Sequence, residues 1–187
     1  IGDTSALITS TMQKTLRELQ LPVCSVEDCT RTIGLPLEQS FMEVLHSSDL
    51  VVGKQCAEVY RRIFSASHQP GVVPVFPHVL ESIRFFYKEG ITVTLASSRG
   101  HASLQAFVKE MHLESYISYI LGADDVRKSK PDPYPVQKIL RIFSVKPQNA
   151  LVVGDTKFDI LMGKRAGAKT CGVTYGNGLR KELEQEE

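Results

Sequence analysis

Tryptophan is absent from this sequence of 187 residues, other aromatic side chains are scarce, and the net charge is close to zero. The 22 basic and 21 acidic side chains give a formal charge of +1. A protein that binds nucleic acid needs a surplus of Lys and Arg to neutralise phosphates, so this class is disfavoured. No apolar run is long enough to cross a bilayer. We therefore expect neither nucleic acid nor a membrane as a partner.

Cysteine is also rare, with four residues at positions 24, 29, 56 and 171. Four residues separate Cys24 from Cys29, and no histidine or second cysteine pair completes a metal site with them. We interpret all four as thiols of a protein kept in the reducing cytoplasm. The first residues lack the pattern of a signal peptide, which agrees with a cytoplasmic location. The expected assembly is a monomer or a homodimer.

The first third of the chain has the periodicity of helices, with a stripe formed by Ile8, Met12, Leu16 and Leu19. Residues 25–28 resemble a capping box, and Pro36 stands where a third helix would begin. Prolines and a glycine between residues 70 and 77 break the pattern. We predict a linker at residues 1–4, a helical domain at 5–70 and an α/β domain at 71–187.

The remainder of the chain alternates between short apolar runs and helical patterns. The predicted strands are residues 91–96, 116–121, 150–153 and 170–174, with helices between them. Strands of this kind, separated by helices, predict an α/β fold whose mostly parallel sheet is covered on both faces. Residues 181–187 are mostly charged, and we expect a solvated tail there.

Four polar side chains follow or lie between the predicted strands of the α/β domain: Ser97, Lys130, Asp155 and Asp159. In open parallel sheets, ligands bind beyond the carboxyl ends of the strands. Two carboxylates four residues apart suit Mg²⁺, although they could equally cap a helix and favour its dipole. Ser97 could hydrogen-bond a phosphate or cap a helix, and Lys130 could neutralise a phosphate or lie in solvent.

In combination these residues resemble the haloacid dehalogenase superfamily of phosphohydrolases, in the branch that carries a helical cap and includes phosphoglycolate phosphatases and β-phosphoglucomutases. Ser97 stands in Thr-Leu-Ala-Ser-Ser-Arg-Gly, Lys130 in Lys-Pro-Asp-Pro, and Asp155 in Gly-Asp-Thr with Asp159 following. The resemblance implies a Rossmann-like core of three layers plus an inserted α-helical cap domain. It also implies a Mg²⁺-dependent phosphatase that acts on a small phosphorylated metabolite through an aspartyl-phosphate.

The resemblance assigns catalytic roles to Ser97 and Lys130 and metal binding to Asp155 and Asp159. The family's nucleophile lies in a first motif, Asp-x-Asp-Gly-Thr, which this sequence does not contain. Residues 1–4 resemble the segment just after that motif, so we expect a fragment that lacks the strand carrying the nucleophile. The alternative is a protein that has lost the nucleophile and binds without catalysing.

Substrate choice is expected to depend on the helical domain, because residues 30–36 resemble the family's specificity loop. We predict substrate contacts from Arg31 and Gly34 in that loop and from Ser98 and Arg99 after the first strand. An arginine at a helix end can equally be an ordinary surface residue. Phosphoglycolate, pyrophosphate, a nucleotide and a sugar phosphate all remain open as substrates. A sugar-phosphate mutase of the same superfamily is the main alternative activity.

Overall fold

A computed structural model describes residues 1–67 and 73–186. The chain forms two compact units, one made of Gly2–Pro74 and the other of Ile1 together with Val75–Glu187. We call them the helical unit and the α/β unit. The predicted boundary between residues 70 and 71 lies outside the described residues and stays a prediction. No helix in the described ranges is both long enough and apolar enough to cross a membrane.

In its described part, the helical unit contains four helices: α1 (Ser5–Glu18), α2 (Val26–Arg31), α3 (Leu37–Val44) and α4 (Leu50–Ser67). Met12 and Leu16 of the predicted stripe are buried, because their spacing brings them to one face of α1. They pack in an apolar core with Cys29 of α2, Phe41 of α3 and Cys56 of α4. The predicted helical first third is therefore confirmed, and burial of this shared core holds the four helices together.

The α/β unit alternates helices and strands as predicted. Its elements are α5 (Val79–Lys88), β1 (Thr94–Ala96), α6 (His101–Glu110), β2 (Tyr119–Leu121), α7 (Tyr134–Ile142), β3 (Leu151–Gly154), α8 (Lys157–Arg165), β4 (Lys169–Gly172) and α9 (Arg180–Glu184). Short 3₁₀ helices lie at Ala123–Asp125 and Pro147–Asn149. The predicted α/β class is confirmed by this order of elements.

The strands pair in parallel, as the sequence predicted. β1 pairs with β2, with Thr94 opposite Tyr119, and β3 pairs with β4, with Leu151 opposite Lys169. Among the described residues no strand joins the two pairs. β1 and β2 are shorter than the apolar runs from which they were predicted, because strand structure extends only as far as the hydrogen-bonded neighbour does.

Close packing of α8 on β3 and β4 fixes the start of α8 at the end of the sheet. A Cβ added at Gly163 would come within 2.6 Å of Thr170 Cγ2 and 2.9 Å of Val152 Cβ, so glycine lets the helix approach the strands. Val152 faces the apolar core formed with α7 and α8. The side chains of Leu151 and Val153 alternate to the other face and remain exposed.

The prediction of a solvated tail at residues 181–187 is wrong for residues 181–184, which belong to α9 (Arg180–Glu184). Leu183 is only 5% exposed in this helix and packs beside Gly172 of β4. Lys157 Nζ lies 2.9 Å from Glu182 Oε1 and adds an ion pair between α8 and α9. One apolar side chain in a charged run gives no periodicity, yet its burial stabilises this short helix against the sheet.

Candidate active site

The predicted site residues lie where strands of the α/β unit end. Ser97 follows β1 directly, and Asp155 follows β3 directly. Asp159 lies in the first turn of α8, while Lys130 precedes α7 and is joined to Pro131 by a cis peptide bond. Because β1 and β3 each run parallel to a partner strand, these side chains lie at carboxyl ends of strands, the ends where α/β proteins bind ligands.

Lys130 and Asp159 form a buried ion pair in which Lys130 Nζ donates to Asp159 Oδ1 at 2.6 Å. The two side chains are 14% and 10% exposed. Burial by itself raises the pKa of Asp159, but the positive charge and hydrogen bond of Lys130 and the hydrogen bonds of Thr156 outweigh it and hold the pKa below its usual value. Asp159 is therefore ionised at neutral pH, with Lys130 Nζ as its hydrogen-bond donor.

The other carboxylate oxygen of Asp159 helps to start α8. Asp159 Oδ2 accepts hydrogen bonds from the hydroxyl of Thr156 at 2.7 Å and from its backbone N–H at 3.2 Å. Thr156 is the residue that precedes α8, so Asp159 satisfies a backbone donor at the helix start. Helix capping was the alternative interpretation for this acidic pair. The structure shows that Asp159 makes the capping contact and the Lys130 contact together.

Asp155 is held by a loop that sequence analysis missed, residues 176–178 after β4. Asn177 donates to Asp155 Oδ2 from its backbone N–H at 2.8 Å and from its side-chain amide at 3.4 Å. The backbone N–H of Gly178 donates to the Asp155 carbonyl at 3.0 Å. A Cβ at Gly176 or Gly178 would collide with Asp155, so glycine is needed on both sides of Asn177. The signal was available, since Gly-Asn-Gly follows the last predicted strand.

The first residue of the sequence pairs with the α/β unit. The carbonyl of Ile1 accepts a hydrogen bond at 3.0 Å from the backbone N–H of Phe76, which anchors this residue in that unit.

A small pocket brings Ser97, Ser98 and Lys130 together, with Gly122 and Ser129 also in its lining. The backbone N–H of Ser97 donates to the Leu121 carbonyl at 2.9 Å, which continues the pairing of β1 with β2. Ser97 Oγ accepts a hydrogen bond from the Arg99 backbone N–H at 3.1 Å. Because an accepting hydroxyl keeps its own proton, Ser97 can still donate to a ligand in this pocket.

The remaining predicted substrate contacts are Arg99 of the α/β unit and Arg31 and Gly34 of the helical unit. The guanidinium carbon of Arg99 is 5.0 Å from the centre of the Phe107 ring, so this side chain stacks on α6. In the helical unit, Arg31 pairs with Asp28 at 3.5 Å and its side chain is 75% exposed. Gly34 has φ +109°, a backbone conformation that favours glycine. Substrate binding by Arg31, Gly34, Ser98 and Arg99 stays a prediction.

A second polar pair at the strand ends was also missed from the sequence. His101 Nδ1 lies 2.6 Å from Asp125 Oδ2, which also accepts from the Gly122 backbone N–H at 2.7 Å. Burial raises the pKa of Asp125, but the hydrogen bonds from His101 and Gly122 outweigh this effect and lower it overall. The two residues are 24 positions apart, and no motif links them.

The oxygen donors present suit Mg²⁺ better than a softer metal. Within the described residues, no group of three or more His, Cys, Asp and Glu side chains comes together as a complete cage. Asp155 Oδ1 has no hydrogen-bond partner among those residues, whereas both oxygens of Asp159 are engaged. Mg²⁺ is commonly held by one or two carboxylates together with waters and substrate phosphates, so this donor set fits the ion.

Comparison with protein families agrees with this geometry. Residues 1–173 match the family described as haloacid dehalogenase-like hydrolase. The chain therefore belongs to the haloacid dehalogenase-like hydrolases, and the resemblance stated from its motifs is confirmed. A match over this range includes the helical unit as well as β1, β2, β3 and β4.

Curated relatives are named as phosphatases. The chain is 33% identical over 190 residues to the protein named probable phosphatase IndB of Dickeya dadantii, covering 99% of this chain and 81% of the relative. It is 29% identical over 181 residues to pyrophosphatase PpaX of Anoxybacillus flavithermus, covering 97% of this chain and 82% of the relative. It is 28% identical over 142 residues to phosphoglycolate phosphatase of Pseudomonas fluorescens, covering 75% of this chain and 52% of the relative. These names and the family bear out the prediction of a phosphatase.

Solved structures confirm the fold. A haloacid dehalogenase-like family hydrolase of Streptococcus pneumoniae superposes with a TM-score of 0.85 at 22% identity, over 100% of this chain and 86% of that one. A hydrolase of Pseudomonas syringae gives a TM-score of 0.86 at 21% identity, over 100% and 85%. The predicted Rossmann-like core with an inserted helical cap is therefore confirmed as the fold class, and the helical unit corresponds to the predicted cap.

Proposed function

We propose that this chain carries most of a Mg²⁺-dependent phosphatase that removes phosphate from a small phosphorylated metabolite. The carrying observation is the buried Lys130–Asp159 ion pair, in which Lys130 also lines the pocket with Ser97 and Ser98. Burying a lysine charge destabilises the folded state unless an opposite charge offsets the loss of hydration. Here Asp159 is that partner, and the lysine also reaches a pocket. The names of the curated relatives support the same activity.

Lys130 supplies positive charge to the phosphoryl group that is transferred. Negative charge spreads over the oxygens of that group in the transition state, so a fixed cation lowers the barrier. The ammonium group of a lysine has three N–H donors, and Asp159 Oδ1 accepts one of them. Asp159 thus holds Lys130 in place while other N–H groups remain to bind phosphate.

Ser97 binds another oxygen of the same phosphoryl group. Its hydroxyl is fixed from one side by the Arg99 backbone N–H and can donate its proton into the pocket. Ser98 follows it in the pocket lining, and we assign it a contact with the rest of the substrate. Arg31 and Gly34 of the helical unit are proposed to select the substrate, as the resemblance implies for their loop.

Asp155 would hold Mg²⁺ through Oδ1, while Asn177 fixes Oδ2. Asp159 would contact the ion directly or through a water molecule, because its oxygens are already shared between Lys130 and Thr156. The ion would supply charge neutralisation at the phosphate and orientation of the substrate. The fixed carboxylate of Asp155 keeps the coordinating oxygen in one position without a further ordering cost.

The nucleophile in this proposal is the aspartate of the family's first motif, as the resemblance implies, and the intermediate is an aspartyl-phosphate formed on it. This splits one difficult displacement into two easier ones. In the described residues, β1 and β3 each have one strand neighbour, so each leaves an edge with which a further strand can pair.

A substrate panel on the full-length natural protein tests the proposal. Phosphate release is measured with and without Mg²⁺ from p-nitrophenyl phosphate, phosphoglycolate, pyrophosphate and a hexose 1-phosphate. We expect Mg²⁺-dependent release from at least one of them, reduced about a hundredfold or more in Lys130→Met. Lys128→Met is the matched control, because Lys128 lies two residues away and is 64% exposed.

Equal activity of Lys130→Met and Lys128→Met would contradict the role given to Lys130. Activity without a divalent cation would contradict the metal part of the proposal. The mutase alternative is tested in the same experiment by adding the hexose bisphosphate. Isomerised sugar phosphate without net phosphate release would assign the chain to the mutases instead.

A further inference from the structure

The helical unit holds two thiols in direct contact, which neither the family nor the proposed function explains. Cys24 Sγ and Cys29 Sγ lie 2.7 Å apart, and both cysteines are free. Cys29 is fully buried, whereas Cys24 is only partly buried. The other two cysteines differ from this pair, since Cys56 is buried in the core of the helical unit and Cys171 is exposed on β4.

Helix chemistry explains why these two side chains meet. Ser25 caps α2, and its Oγ accepts from the Asp28 backbone N–H at 3.0 Å. Cys24 is the residue before the cap, and Cys29 is the fourth residue of the helix. In many helices these two positions carry apolar side chains that pack on each other and fix the entry of the chain. Here both positions carry thiols, so the same packing brings two oxidisable groups together.

Both cysteines are held in position by their backbones. Gln13 of α1 donates to the Cys24 carbonyl at 2.9 Å, and the Cys29 N–H donates to the Ser25 carbonyl at 3.1 Å. The Cys29 side chain packs in the apolar core with Met12 and Leu16. A disulfide bond measures about 2.05 Å between sulfurs, so closing the observed gap needs only a small movement of side chains that are already ordered.

We propose that Cys24 and Cys29 are a redox-active dithiol that closes to an intramolecular disulfide on reaction with a low-molecular-weight disulfide such as oxidised glutathione. In the first step the thiolate of Cys24 attacks one sulfur of the reagent, forming a mixed disulfide and releasing one glutathione thiolate. In the second step the sulfur of Cys29 attacks Cys24 Sγ and expels the second glutathione. The Cys29 proton passes to that leaving thiolate. Two protein thiols are oxidised and one reagent disulfide is reduced to two thiols.

The order of the two steps follows from burial. Only Cys24 of the pair has surface that a reagent can reach, so it forms the mixed disulfide. Burial and the neighbouring Cys24 sulfur raise the pKa of Cys29 to about 12. Cys29 is therefore protonated at neutral pH, and it reacts only because the mixed disulfide forms directly beside it.

Trypsin gives a direct readout, because residues 18–31 form one peptide that contains both cysteines. The chain carrying Cys171→Ser, which removes the exposed thiol, is equilibrated with mixtures of reduced and oxidised glutathione. It is then quenched in acid, alkylated under denaturing conditions and digested. We expect the peptide to lose two hydrogens and take up no alkyl group as the oxidised fraction rises. Cys56 should stay reduced and serves as the internal control.

The proposal requires that the folded structure favours the Cys24–Cys29 disulfide, so the same titration is run on the chain unfolded in concentrated guanidinium. We expect the equilibrium constant for closing the disulfide to be at least about tenfold larger in the folded chain, because folding holds the two sulfurs together. Equal constants in the two states would overturn the proposal. So would a folded chain that stops at a glutathione adduct on Cys24. In Cys24→Ser, Cys29 should remain unmodified, and its ready glutathionylation would contradict the assigned order of steps.

Discussion

Replacement of Lys130 by methionine tests the ion pair by stability as well as by activity. The change keeps the length and the apolar stem of the side chain but removes its charge. Asp159, 10% exposed, would then face an apolar side chain and keep only its hydrogen bonds to Thr156. Breaking one partner from a buried ion pair typically costs about 3–5 kcal/mol. Because the two Thr156 bonds remain, we expect about 3 kcal/mol, the lower end of that range.

The assay is guanidinium unfolding followed by far-ultraviolet circular dichroism, since the chain has no tryptophan to report by fluorescence. Lys128→Met is the control for removing a lysine charge at an exposed position. The double variant Lys130→Met with Asp159→Asn removes both charges, and we expect it to recover part of the lost stability. If Lys130→Met unfolds at the same denaturant concentration as Lys128→Met, the buried pair does not contribute what the geometry indicates.

The stability contributed by the Lys130–Asp159 ion pair should also depend on pH. The folded-state pKa of Asp159 is lowered from its model-compound value of 3.8, so its ionised form stabilises the folded state above that value. This contribution disappears as the pH falls below about 4 through the folded pKa. Without Lys130, only the Thr156 hydrogen bonds offset the burial of Asp159, so its pKa rises and acid unfolding should begin at higher pH. An unchanged acid transition would refute this account of Asp159.

Three further changes test other parts of the molecule. Asp155→Asn in the full-length protein should lower Mg²⁺-dependent phosphate release about a hundredfold or more, with the melting temperature retained, as measured by phosphate release across a Mg²⁺ titration. Gly178→Ala should destabilise the protein by about 1–3 kcal/mol, because its Cβ would collide with the Asp155 carbonyl, whereas Gly100→Ala has space and serves as its control in guanidinium unfolding. Ser25→Ala should lower the free energy of unfolding by about 1 kcal/mol, because it removes the hydroxyl that accepts from the Asp28 backbone N–H. An unchanged thermal transition would contradict this capping role of Ser25.

The sequence was sufficient to predict those features whose determining residues all lie within one helix or directly after one strand. A helix was predicted between the second and third strands, and α7 (Tyr134–Ile142) lies there, because its buried Val136 and Leu140 and the proline at its start all lie within it. Ser25 caps α2 for the same reason, since its Oγ accepts from the backbone N–H of Asp28 three residues later. Ser97 and Asp155 were predicted as site residues because they follow apolar runs, and the structure places each directly after a strand, while their roles stay predictions.

Relationships across long stretches of sequence could not be predicted in this way. Lys130 and Asp159 are 29 residues apart, and only the fold shows that one carboxylate both caps α8 and holds the lysine. Asn177 is 22 residues from Asp155, so no spacing rule links it to the carboxylate that it fixes. Leu183 was missed because one apolar residue in a charged segment has no period, and its burial beside β4 is set by the fold.

The same carboxylate therefore links the start of a helix to the electrostatics of the site. Asp159 Oδ2 is committed to Thr156 and Oδ1 to Lys130, so its position is set by α8 rather than by any ligand. A lysine anchored in this way needs no rearrangement when a phosphate arrives, since one N–H already has its partner and the others remain to donate. An unanchored lysine would first have to lose the freedom of a long side chain. In the proposed mechanism, the start of α8 thus holds the Lys130 ammonium in place before the substrate binds.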